Sequence, residues 1–127
     1  MRQEADWTEA LARLTDYDAV QIWLKNVHLQ SPGSTNTDHE RLKTLLAFCS
    51  FVEKGPDTII SECFRTRNEG DEWKRIKFKV RSKYSDLIKQ AQEDLFGGGV
   101  VGQRYGNMIR SFFIHNGVFM QAEPLIR

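Results

Sequence analysis

The chain has 127 residues. At the usual ratio of about 100–200 residues per domain this is one domain, and it is too short for a two-lobed enzyme. Hydrophobic residues make up 40% and charged residues 28%, a globular balance that excludes the disordered and fibrous classes. The net charge of +1 argues, as an average, against a polyanionic partner, but it conceals a split. Residues 1–64 hold six Lys/Arg against ten Asp/Glu, a balance of −4, while residues 65–127 hold twelve against seven, a balance of +5. Such asymmetry points to an interaction surface.

Trp7, Leu11 and Leu14 share a helical face and predict a short first helix. Asp16 or Asp18 can cap a second helix, whose apolar stripe is Val20, Trp23, Leu24 and Val27. The turn formers Ser31-Pro32-Gly33-Ser34-Thr35-Asn36 mark a loop. Thr37 with Glu40 three residues on reads as a capping box. The helix it opens turns Leu42, Leu45, Leu46, Cys49 and Val52 inward, with Phe48 and Phe51 widening the stripe. Gly55-Pro56 stops that helix, the glycine taking a left-handed position, and Asp57 caps a short one around Ile59, Ile60, Cys63 and Phe64.

Residues 65–72 form a polar connector. Ile76, Phe78 and Val80 then alternate with cations as in a strand. A wider window finds Trp73, Ile76, Val80, Tyr84, Leu87, Ala91 and Leu95 at helical spacing, which predicts one long helix over about 72–96. Gly97-Gly98-Gly99 breaks it. A last helix, from about Gly102 to Asn116, buries Tyr105, Met108, Ile109, Phe112 and Phe113, and Asn116-Gly117 closes it. The tail to Arg127, with Pro124, reads as the start of a linker. The fold expected is all-α, a compact bundle of four core helices plus a short N-terminal helix or two.

Catalytic and metal-binding patterns are missing. His28, His39 and His115 fall in three segments, and there is no Ser-His-Asp order, GxSxG, HExxH or GxxxxGK. Cys49 and Cys63 form no CxxC and read as free thiols packed in the core of a cytoplasmic protein. No secretory leader and no apolar run of membrane length is read. Neither an enzyme nor a cofactor nor a membrane partner is expected.

The basic stretch carries more information. From Trp73 to Lys83, six of eleven residues are cationic (Lys74, Arg75, Lys77, Lys79, Arg81 and Lys83) and none is acidic. Arg104, Asn107 and Arg110 lie three apart on the last helix, hence on one face. Cationic faces suit phosphate backbones, because each neutralised phosphate releases condensed counterions. The loop before Thr37 leads into a helix N-terminus, which also favours anions, although ordinary capping needs the same residues.

The order of elements resembles the N-terminal core-binding domain of the tyrosine recombinases, the phage-integrase family, also called the SAM-like domain. Four pieces carry the likeness: Trp23-Leu24 before the Ser/Pro/Thr loop; Thr37 followed by Leu42, Leu45, Leu46, Phe48 and Phe51; Gly55-Pro56-Asp57; and the closing Tyr105-Gly106-Asn107-Met108-Ile109-Arg110-Ser111-Phe112-Phe113-Ile114-His115-Asn116-Gly117-Val118. The resemblance implies a core-binding domain over 18–120, an N-terminal helical extension over 1–17, and a linker from 121 towards a catalytic domain that this chain does not contain.

It further implies binding to double-stranded DNA in site-specific recombination and integration, without catalysis by this part alone. Other recombinase protomers and the catalytic domain of the same polypeptide would be partners. The first core helix and the last helix would approach the major groove through His39, Lys43, Gln103, Arg104, Asn107 and Arg110. Lys74, Lys77, Arg81 and Lys83 would hold phosphates. Arg104 and Asn107 suit guanine and adenine edges, whereas lysines position. The alternative is a helical protein-interaction module that uses its acidic half or a Trp7/Trp23 surface.

Overall fold

The computed structural model describes residues 4–30, 37–64 and 76–121, with side chains from residue 9 onward. These residues form six helices: α1 (Glu4–Leu14), α2 (Asp18–Gln30), α3 (Asp38–Val52), α4 (Pro56–Glu62), α5 (Phe78–Asp94) and α6 (Gly99–His115). The fold is an all-α bundle, as the periodicity predicted. The Ser31–Asn36 loop, the connector at 65–72, the start of the basic stretch with Trp73 and Lys74, and the linker from 122 lie outside the described residues.

The core gathers where α2, α3 and α5 meet α6. Trp23 is 1% exposed; its ring meets Phe112 edge-on at 5.5 Å and its Nε1–H donates to Ser111 Oγ at 3.1 Å. Phe113 touches Phe48, Tyr84 and Phe112 in turn, at 6.5, 5.5 and 5.7 Å between ring centres. Each such pair adds about 0.5–1.5 kcal/mol beyond the area it buries. Leu11 and Leu14 are buried too, and α1 packs on α3, so the N-terminal extension is docked onto the bundle. Because Trp23 is core, it cannot belong to the Trp7/Trp23 surface that the protein-interaction alternative offered beside the acidic half.

Several helix ends differ from the sequence expectation. At the start of α2, the Ala19 N–H donates to Asp57 Oδ1 at 2.8 Å, so the cap comes from α4, 38 residues away. Asp57 therefore serves α2, while Gly55 occupies the N-cap of α4 with Pro56 behind it. Thr37 makes no side-chain capping bond to α3. Asp38 instead accepts from Arg41 Nη1 at 2.9 Å and pairs with His28 Nε2, tying the end of α2 to the start of α3. The left-handed residue after α3 is Glu53 (φ 60°) rather than Gly55, which is extended (φ −77°).

The predicted long helix starts later than expected. Ile76 forms an isolated antiparallel bridge with Phe64, and the Lys77 N–H donates to the Cys63 carbonyl at 2.7 Å. Lys77 is extended, and helical geometry begins at Phe78. The alternation at Ile76 and Phe78 thus signalled one real extended step, and the bond to Cys63 O outweighs a further helical turn.

Helices α5 and α6 form an antiparallel hairpin. Gly97, Gly98 and Gly99 take φ of 82°, 68° and 61°, a run of left-handed backbone that side chains with a Cβ resist. This lets α6 begin at Gly99, three residues earlier than predicted. Gly102 and Gly106 are buried against Gln92, and a Cβ on Gly102 would lie 2.7 Å from the Gln92 carbonyl oxygen. At the other end of α6, the Gly117 N–H reaches Ile114 O at 3.0 Å and the Val118 N–H reaches Phe113 O at 2.9 Å. This is the Schellman closure that Asn116-Gly117 predicted. Asn116 Nδ2 also donates to Ala19 O at 3.0 Å, fastening the end of α6 to the start of α2.

Candidate nucleic-acid interface

The N-terminal halves of α3 and α6 and the C-terminal end of α5 enclose a groove. One hollow of about 620 Å³ is lined by His39, Glu40, Lys43, Thr44, Ala47, Leu95, Phe96 and Tyr105. A neighbouring hollow of about 470 Å³ is lined by Thr37, Glu40, Arg41, Val101, Arg104, Tyr105 and Met108. Glu40 and Tyr105 line both. Phe96 and Tyr105 pack ring to ring at 5.1 Å and give the groove an aromatic wall.

Local sequence explains this placement. His39, Glu40 and Lys43 sit in the first turns of α3, before its stripe of Thr44, Leu45, Phe48 and Cys49 turns into the core. Thr44 is buried because its Oγ1 donates back to Glu40 O at 2.8 Å, which satisfies the hydroxyl inside the helix. On α6, Gly102 and Gly106 press the opposite face onto α5 and leave Arg104 outward.

Of the sequence candidates, His39, Lys43 and Arg104 are exposed and share this groove region, and Gln103 is half-buried beside Arg104. Arg110 is a correction. It is 1% exposed, and its Nη1 donates to Asn107 Oδ1 at 2.9 Å. The three-residue spacing placed Arg104, Asn107 and Arg110 on one face, but α6 rotates that stripe into the bundle along its length. Arg110 is therefore an interior side chain, and Asn107 commits its carbonyl oxygen to it.

The second basic group lies at the opposite end of α5. Lys77 and Lys83 are exposed; Arg81 is half-buried, its guanidinium 5.1 Å from the centre of the Phe78 ring. Lys74 lies outside the described residues. A helix the length of α5 spans about 25 Å, so this group and the groove stand about that far apart. Sequence reasoning assigned Glu40 to a capping box and Tyr105 and Met108 to the core. The signal available was position: Glu40 lies between His39 and Lys43 on an exposed helical start.

Cys49 and Cys63 are buried free thiols, pushed up by burial to about 12 and about 11. Lys54 Nζ donates to both Glu62 carboxylate oxygens, at 3.0 and 2.9 Å, and Tyr84 donates to the same carboxylate. Among the described residues there is no group of three or more His, Cys, Asp or Glu able to hold a metal ion, and no helix long and apolar enough to cross a membrane. No family model, curated protein or solved structure matches the chain.

Proposed function

We propose that the chain is a DNA-binding module of the kind found as the core-binding domain of tyrosine recombinases, non-catalytic by itself. The observation that carries this reading is the convergence of His39 and Lys43 from α3 with Arg104 from α6 along one groove. These residues are about sixty positions apart in sequence and belong to the two helices that the resemblance assigns to the major groove. The excess of cations after residue 64 and the closing motif through Val118 support it further. Arg104 is the better base reader of the set. Lys77, Arg81 and Lys83 would hold phosphates at the far end of the hairpin.

The test is titration against duplex DNA at two salt concentrations. A Kd of about 10⁻⁴–10⁻⁶ M is expected for non-specific duplex at physiological salt, tightening as salt is lowered. The double variant Lys43→Glu/Arg104→Glu should retain its helical signal and lose most of that affinity. A Lys77→Glu/Arg81→Glu variant should weaken binding to all sequences alike. Affinity absent at low salt, or indifferent to salt, would overturn the proposal. A stable protein complex in its place would favour a protein-interaction module.

A further inference from the structure

The groove holds one residue that a plain phosphate cradle would avoid. Glu40 is exposed and lines both hollows, with His39 and Lys43 beside it in one and Arg41 and Arg104 in the other. Among the described residues, Asp38 takes the ion pair with Arg41 and a contact from His28, and no ion pair involves the Glu40 carboxylate. In the first turn of α3 it complements the helix dipole, which many positions on that turn would do equally well. Its place among Lys43, Arg41 and Arg104 is the feature to be explained.

Resting on the DNA-binding reading, we infer that Glu40 is a specificity-determining residue that selects a C·G pair, with the cytosine facing it. A carboxylate only accepts hydrogen bonds. It repels phosphate, so a base edge suits Glu40 itself better than the backbone does. In the major groove the available donors are the cytosine N4 and adenine N6 amines. Adenine sets its N7 acceptor beside the amine, and a carboxylate is repelled by it. Cytosine offers N4 next to an apolar C5–H edge, which suits the Phe96 and Tyr105 wall beside Glu40. The paired guanine presents O6 and N7, and these suit the cationic ends of Lys43 or Arg104. The mixed charge of the groove thus fits the mixed edge of one base pair.

Selection from a duplex pool with a randomised window tests this, using the wild type, Glu40→Gln and Glu40→Ala at low salt. The wild type should enrich cytosine at one position by about tenfold. Glu40→Gln should move that position towards adenine, whose N6 and N7 a carboxamide can pair, and Glu40→Ala should level it. Both variants should hold unrelated duplex at least as tightly as the wild type, because a negative charge is gone. The same preference in all three proteins, or no positional preference in the wild type, overturns the inference and leaves DNA binding standing. A wild type that retains no duplex at low salt overturns both readings.

Discussion

Two arginines six residues apart on α6 have opposite lives. Arg104 is exposed at the groove, and Arg110 is 1% exposed with its charge hydrogen-bonded to Asn107. A buried guanidinium is tolerated only when its donors are met, and its long stem fills core volume as well. Arg110→Ala should therefore cost about 3 kcal/mol in urea unfolding, through lost packing and stranded partners. Arg104→Ala should stay within about 0.5 kcal/mol of the wild type and reveal itself only in DNA affinity. Equal stability losses for the two would contradict the assignment. The sequence could not separate these residues, because both fit the same three-residue spacing and only the packing of α6 on its neighbours tells inside from outside. The pair Glu62 and Tyr84 makes a second residue-scale prediction. The Glu62 carboxyl is held below its ordinary value by hydrogen bonds from Lys54 first and Tyr84 next. The Tyr84 phenol is pushed up by burial first and by its bond to Glu62 next. A lowered carboxyl adds stability that is present above the ordinary value of about 4.3 and is lost as pH falls through the folded value. A raised phenol adds stability present below about 10 and lost as pH climbs through its folded value. Urea midpoints should thus be highest between about pH 7 and 8; below that, burial of His115, which lowers its imidazole, brings a first decline under its ordinary value of about 6.5, ahead of the Glu62 fall, and the alkaline fall follows above. Tyr84→Phe should lower the plateau and make the Glu62 and alkaline falls shallower; the buried thiols keep part of the alkaline one. Limbs unchanged by that substitution would remove the pair from the account.

At the level of elements, the hydrophobic spacing was enough to predict α1 to α4 and α6, and the glycine and asparagine chemistry at Asn116-Gly117 predicted a real Schellman end. These signals are local, and local signals survive in one dimension. The caps that went astray are tertiary. Asp57 sits where a cap for its own helix belongs, yet it closes α2 across 38 residues, because α2 and α4 pack together. Asp57→Ala should accordingly cost about 1 kcal/mol, with hydrogen exchange accelerated at the first turn of α2 and not at that of α4. Faster exchange confined to α4 would return the cap to its own helix. The start of α5 was misjudged for a related reason: helical periodicity runs through Ile76, but a backbone bond to Cys63 holds Lys77 extended. The groove was legible in part. His39, Lys43 and Arg104 were visible as exposed polar candidates, whereas their convergence, and the place of Glu40 among them, required the crossing of α3 with α6.

For the whole molecule, the basic side chains that bear on the proposal fall in two regions, only one of them built wholly from the basic half of the sequence. One is the groove at the meeting of α3 and α6; the other is the first turns of α5 with Lys77 and Lys83. The salt titration belongs to this scale, since its slope counts phosphates neutralised by both regions together. The two are joined by the α5–α6 hairpin, whose helices are pressed together where Gly102 and Gly106 meet Gln92. A joint without room for a single methyl group has little freedom to pivot. The hairpin therefore holds the two regions at a fixed separation. Its length of about 25 Å matches about seven base-pair steps along a strand. If the proposed duplex binding holds, the length of α5 sets the interval between the two contacts, and the glycines that keep the hairpin from pivoting touch neither of them.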